Sequence, residues 1–123
     1  MTELTEGRNT GEFIYAEPNG TRAREAIVVA SGQNLAACDV VGKITASSKY
    51  AIYDNAAVDG TEVAAGILYS AVDASAADQR GVILVRDFEA KLDVLGWNGQ
   101  AQPAIDAGVV DLTALGIICR PGT

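Results

Sequence analysis

The sequence predicts a β-rich α+β domain of six to eight short strands with one late helix. Three observations lead there. Short apolar, β-branched runs such as residues 26–30 (AIVVA) and 81–86 (GVILVR) recur between turn residues. Phe88, Ala90, Leu92 and Val94 alternate without a break against Asp87, Glu89, Lys91 and Asp93, the period of a half-buried strand. Only the segment after Pro103 takes helical spacing. Since regular helices do not separate the strands, a doubly wound α/β fold is disfavoured.

Residues 1–11 (MTELTEGRNTG) hold one aliphatic side chain, Leu4, after Met1. That is too little apolar surface to offset roughly 1–2 kcal/mol of backbone entropy per ordered residue. A mobile arm is expected, either without a task or ordering on docking, with the arm bounded at residues 1–16 and the domain at 17–123. Glu12, Phe13, Ile14, Tyr15 and Ala16 form a short β-prone run. Glu17-Pro18-Asn19-Gly20 closes it, because proline sets φ and Asn-Gly accepts the positive φ of a tight turn.

Residues 26–30 read as a buried strand ended by Ser31-Gly32. Residues 40–45 and 50–53, separated by the polar residues 46–49, suggest a hairpin. Asp54-Asn55 and Asp59-Gly60 punctuate a loop to Glu62. Residues 65–69 form another buried-type strand, and 73–78 a small-residue loop or single helical turn. Residues 81–86 are the most apolar strand candidate. The alternating stretch 88–94 follows as a strand; a helix using Phe88, Leu92 and Leu95 is the weaker alternative. Pro103 suits a first helical turn, Ile105, Val109 and Leu112 follow at spacings of four and three, and Gly116 stands where helices end. Gly108 within that helix costs about 1 kcal/mol relative to alanine. Residues 117–120 return to β character.

At 123 residues the chain is one domain of ordinary size, and 49% hydrophobic with 20% charged residues it is too apolar to be disordered throughout. An aromatic share of 6% leaves the core to Ala, Val, Ile and Leu. The chain has no histidine, which excludes Ser-His-Asp and Cys-His catalysis, the common zinc sites and a neutral-pH histidine switch. A net charge of −7 with scattered basic residues provides no footprint for nucleic acid. An acidic, polar N-terminus and no stretch of roughly 18–20 apolar residues predict neither a signal peptide nor a membrane span. A soluble protein in a reducing cytoplasm is expected. Cys38 and Cys119 are far apart and read as small buried hydrophobes, with a single bridge as the alternative.

The glycines follow neither the Walker pattern nor GxGxxG and read as turn residues, and no GxSxG elbow occurs. Asp73, Asp78, Asp87 and Glu89 are candidates for a hydrolysis that dispenses with histidine, paired-carboxylate glycoside cleavage, but on an acidic surface carboxylates are usually solvated. Residues 54–60 (DNAAVDG) lack EF-hand spacing and read as a turn. No catalytic constellation, metal site or cofactor is expected. Trp97 is the one large anchor, either a core plug or a protein–protein contact; Tyr15, Tyr50, Tyr53 and Tyr69 fit strand surfaces. What remains is an acidic β domain with an arm able to add a strand to a neighbour's sheet edge.

The motif order then becomes informative. Gly11-Glu12-Phe13-Ile14, Glu17-Pro18-Asn19-Gly20, Arg24-Glu25, Gly32-Gln33-Asn34-Leu35 and Val41-Gly42-Lys43-Ile44-Thr45 resemble, in sequence, the head decoration protein D family of tailed bacteriophages. Asp59-Gly60, Ala64-Ala65-Gly66-Ile67-Leu68, Val72-Asp73-Ala74 and Leu115-Gly116-Ile117-Ile118-Cys119-Arg120 continue it, so that about residues 11–120 are covered. Two departures stand out. Ala37-Cys38-Asp39 occupies the place of a small-Gly turn, and Leu95-Gly96-Trp97-Asn98 replaces a Leu-Trp-Pro.

The resemblance implies a small tulip-like β barrel with one C-terminal helix and a flexible N-terminal arm, acting as a capsid cement and not as an enzyme. It implies trimers at local three-fold positions on the outer surface of the expanded head, stabilising it against packaged DNA, after synthesis in the host cytoplasm. The implied partners are the major capsid protein and two further copies, with no nucleic acid and no membrane. The arm residues Glu12, Phe13, Ile14 and Tyr15 are expected at the capsid, and Trp97 as an interface anchor. The competing reading is a small carbohydrate-binding or hydrolytic β domain using its carboxylates; a third is an assembly domain tied to no virus.

Overall fold

Apolar, β-branched runs become strands along the described chain, which comprises residues 10–11, 13–16 and 23–120 of a computed structural model. In order they are β1 (Ile14–Ala16), β2 (Arg24–Val29), β3 (Gln33–Leu35), β4 (Val40–Lys43), β5 (Tyr50–Ile52), β6 (Ala64–Leu68), β7 (Val72–Ala74), β8 (Gln79–Leu84) and β9 (Phe88–Lys91). A single 3-10 turn at Leu92–Val94, the helix α1 (Gln102–Ala114) and β10 (Ile117–Arg120) complete the chain.

Five strands close a barrel in the order β2-β5-β4-β6-β8, flanked by a three-stranded sheet β1-β9-β10 and the ribbon β3-β7. The expected hairpin is β4 against β5, with Val41↔Ile52, Gly42↔Ala51 and Lys43↔Tyr50 in antiparallel register. Its polar connection folds back through Ile44 N–H to Lys49 O at 2.7 Å and Ser48 N–H to Ile44 O at 2.8 Å.

Where β4, β6 and the end of β8 meet, both faces of the barrel wall are buried. Val40, Ile67 and Leu84 join one apolar cluster with Phe88, Leu112 and Ile117, while their chain neighbours Val41, Leu68 and Ile83 join a second with Val29, Leu35 and Val72. Successive side chains of a strand point to opposite faces, so a strand covered on both sides reads as a continuous apolar run. That is why residues 81–86 look so apolar in sequence.

The helix obeys its end signals. Pro103 lies in the first turn, where its missing N–H costs no hydrogen bond, and Gly116 takes φ +88° just after the last turn. α1 then delivers the chain to β10, which pairs parallel with β9 from Ile117↔Phe88 to Arg120↔Lys91. One helical crossover therefore exists in this mostly antiparallel fold.

Two expectations need correction. The alternating strand ends at Lys91, and Leu92–Val94 turn into a 3-10 helix. Leu92 and Val94 still pack on the core, so the burial that produced the alternation persists after extended backbone has ceased. Asp73 and Ala74, expected within a loop or helical turn, instead belong to β7, which pairs with β3. Three-residue strands are too short for a readable period. The residues of the turn at 17–20 and most of those of the arm, 1–9 and Glu12, lie outside the described residues.

Candidate functional site

Residues 13–16, the described part of the β-prone run in the arm, are seated in the domain. β1 pairs antiparallel with β9 at Ile14↔Ala90 and Ala16↔Glu89, with a register shift between them. Lys91 N–H donates to Phe13 O at 2.7 Å, and Gly11 N–H donates to Tyr69 O at 2.9 Å. The Phe13 ring is 0% exposed and meets Phe88 edge-on, with centroids 5.8 Å apart. Ile14 is half-buried against the same cluster, and Tyr15 lies in β1. Arg24 rests its guanidinium 4.2 Å above the Tyr69 ring, beside the entry of the chain. Of the residues expected to face a capsid, Phe13 is thus spent on internal packing. A ring without exposed surface reaches a partner only by leaving the core.

Trp97 is partly buried and packs edge-on to Tyr53, with centroids 5.8 Å apart and planes at 78°. Its ring lies against α1 at Gly108, where a Cβ would come within 2.5 Å of Cζ3. Tyr53 donates its hydroxyl to Ala104 O at 2.8 Å, and burial pushes its phenol pKa up, with Asp111 and Asp54 adding to the rise. Gln100 ties the turn to β5 by donating to Tyr53 O at 2.6 Å and Trp97 O at 3.0 Å. These bonds fasten the helix to the barrel. Trp97 thus packs between α1 and Tyr53 while keeping part of its surface exposed.

The two departures from the family pattern meet in space. Val40 N–H donates to Gly96 O at 3.0 Å, and Gly96 N–H donates to Cys38 O at 2.8 Å. Cys38 is buried at φ +72°, a conformation unfavourable for a residue with a Cβ. Beside this bridge lies an open cavity of about 630 Å³ lined by Asp39, Asp93, Gly96, Trp97 and Asn98. Asp39 is buried and accepts the Ala36 N–H at 2.9 Å. Cys38 and Cys119 are free thiols, so the bridge alternative is corrected; burial raises the Cys119 pKa.

The candidate carboxylates are committed locally. Asp73 accepts the Ser75 hydroxyl at 2.5 Å and its N–H at 3.1 Å, Asp78 pairs with Lys49 at 2.5 Å, and Glu89 pairs with Arg120. The Ser75 hydroxyl bond lowers the Asp73 pKa, and the Lys49 bond lowers that of Asp78. A glycosidase general acid needs the opposite shift. The residues 54–60 are also a turn closed on itself, Asp59 accepting the Thr61 hydroxyl at 2.6 Å and N–H at 3.1 Å. Among the described residues, no group of three or more Cys, Asp or Glu is placed to hold a metal ion, and no helix is long and apolar enough to cross a membrane.

None of the curated proteins matches the chain. A family model does, that of the bacteriophage lambda head decoration protein D, over residues 3–117. With nearly its whole length matched and a closed barrel followed by one helix, the chain belongs to the bacteriophage lambda head decoration protein D family.

Proposed function

We propose that this protein is a capsid cement, docking on the outer surface of an expanded phage head as trimers at local three-fold positions. In this reading residues 1–16 contact the major capsid protein, and the decorated shell resists the pressure of packaged DNA. Synthesis takes place in the host cytoplasm and assembly on the virion. The observation that carries the reading is the family match over residues 3–117.

The build of the arm root supports it. β1 lies at the edge of its sheet and meets β9 at two residue pairs with a register break, so few main-chain bonds hold it. Its buried Phe13 anchors the root, and in this reading Glu12, Ile14, Tyr15 and the residues before them make the capsid contact. Three arms on one trimer make the second and third contacts intramolecular, so weak contacts give an avidity gain of roughly 10²–10⁴ where geometry allows. Preference for the expanded shell follows if only that state presents the docking edges at the matching spacing.

Co-sedimentation with expanded and unexpanded heads, followed by heat challenge, tests the reading. Saturable binding to expanded heads alone, with raised resistance to disruption, is expected. Deleting residues 2–11 should leave a folded domain that no longer binds. Full-length protein that binds no expanded head overturns the cement role, and unchanged binding of the truncated chain overturns the arm assignment.

A further inference from the structure

The barrel is not closed evenly. β2 pairs with β8 along all six residues, from Arg24↔Leu84 to Val29↔Gln79, yet it meets β5 only at Val29↔Tyr50. Ala30 N–H adds one bond to Tyr50 O at 2.9 Å. In an antiparallel ladder, the main-chain groups of alternate residues turn to opposite sides. Val85 N–H donates to Ala23 O at 2.8 Å, which makes the odd-numbered residues of β2 those bonded to β8. The N–H and C=O of Ala26 and the N–H of Val28 therefore face the gap beside β5. Ala26 and Val28 are both exposed, and no strand of the described residues pairs with them on that side.

A cavity of about 400 Å³ opens at this gap, with Lys43 and Arg80 in its wall. Both are exposed and have no ion-pair or hydrogen-bond partner among the described residues. The other ionisable groups there are Glu25, which pairs with Arg86 at 3.3 Å, and the Tyr50 phenol, whose pKa is raised by burial and then by Glu25. A protein of net charge −7 thus places two cations without a side-chain partner among the described residues beside an unpaired strand edge.

We propose that this gap is a docking slot for a short, extended, acidic segment of a partner polypeptide. Its backbone pairs with Ala26 and Val28, its apolar side chains lie on Val28, and a carboxylate sits between Lys43 and Arg80. Main-chain bonds supply a sequence-tolerant share of the affinity and the cations select for acidity. The slot lies on the barrel wall, apart from the β1-β9-β10 sheet that holds the arm root.

The test is a titration of the full-length, nitrogen-15-labelled chain with an acetylated heptapeptide of alternating threonine and glutamate. A lysine-for-glutamate twin serves as control. Saturable amide shifts centred on Ala26, Val28 and Tyr50 are expected, weakened by salt, with affinity reduced about tenfold in a Lys43→Glu/Arg80→Glu variant whose remaining spectrum is unchanged. If that variant is unfolded, Arg80→Gln replaces it, with a smaller loss expected. Absence of saturation, shifts centred elsewhere, equal binding of the lysine twin or indifference to the substitutions overturns the proposal. So do the same amide shifts on raising protein concentration without peptide, which would make a second copy the occupant.

Discussion

Trp97 and Gly108 are packed so tightly that a single methyl group at Gly108 would lie 2.5 Å from the indole Cζ3 and 3.1 Å from both Cη2 and the Tyr53 ring. The glycine looks like a defect in the helix when read alone. Against the indole it is the recess that lets α1 approach the barrel.

Gly108→Ala is therefore expected to destabilise the domain. Helix propensity by itself favours alanine by about 1 kcal/mol, whereas overpacking a filled core costs about 1–3 kcal/mol. Denaturant unfolding should give a net loss, which the further substitution Trp97→Leu reduces. A gain in stability in Gly108→Ala would show that the helix is not seated on the indole.

Phe13 separates the anchored root from the residues before it. Phe13→Ala removes a fully buried ring from the contact with Phe88 and should cost about 3–5 kcal/mol. Deleting residues 2–9, which hold Leu4 as their single aliphatic side chain, should change unfolding free energy by only about 0.5 kcal/mol or less. Equal effects of the two changes in thermal melts would contradict this division.

Cys38 bears its side chain at φ +72° in a fully buried position. Glycine normally loses about 0.5–1 kcal/mol to alanine within regular structure, but relief of the left-handed penalty, roughly 1–2 kcal/mol, favours glycine here. Cys38→Gly should thus be at least as stable as Cys38→Ala. Calorimetry that places the glycine variant clearly below the alanine variant would refute the strain.

Acid should weaken the fold through the turn carboxylates. Hydrogen bonds from Thr61 and Ser75 lower the pKa of Asp59 and Asp73, and the bond from Lys49 lowers that of Asp78, each from an ordinary 3.8. Depressed native values mean that the unfolded chain binds more protons in this window. Their contribution is present above about pH 3.8 and fades as pH falls through the native values. Urea midpoints measured downward from pH 7 should decline more steeply for the native chain than for an Asp73→Asn/Asp78→Asn variant, the two converging at the acid end. Parallel curves would show that these contacts do not persist in solution.

The candidate site was only partly legible in the sequence. Glu12 to Tyr15 stand out as a β-prone run after a polar arm, and that much follows from composition. That Phe13 turns inward depends on Phe88, 75 positions away, and on the pairing of β1 with β9. Trp97 is conspicuous as the sole tryptophan, but its packing depends on Gly108 and Tyr53, which lie away from it in the chain. The edge of β2 at Ala26 carries no sequence signal, since an unpaired strand edge is a property of its neighbours.

Local chemistry was legible in the residue order. The β class, the β4–β5 hairpin with its polar turn, the start of α1 near Pro103 and its stop at Gly116 all follow from side-chain period, fixed proline φ and the freedom of glycine. Only the tertiary structure decided the parallel pairing of β9 with β10, the ribbon of β3 with β7, the uneven closure of the barrel and the seat of Trp97. Each of these joins residues far apart in the chain. Such contacts form only where the apolar surface buried by the whole fold offsets the entropy of closing the intervening loops, and no local pattern carries that sum.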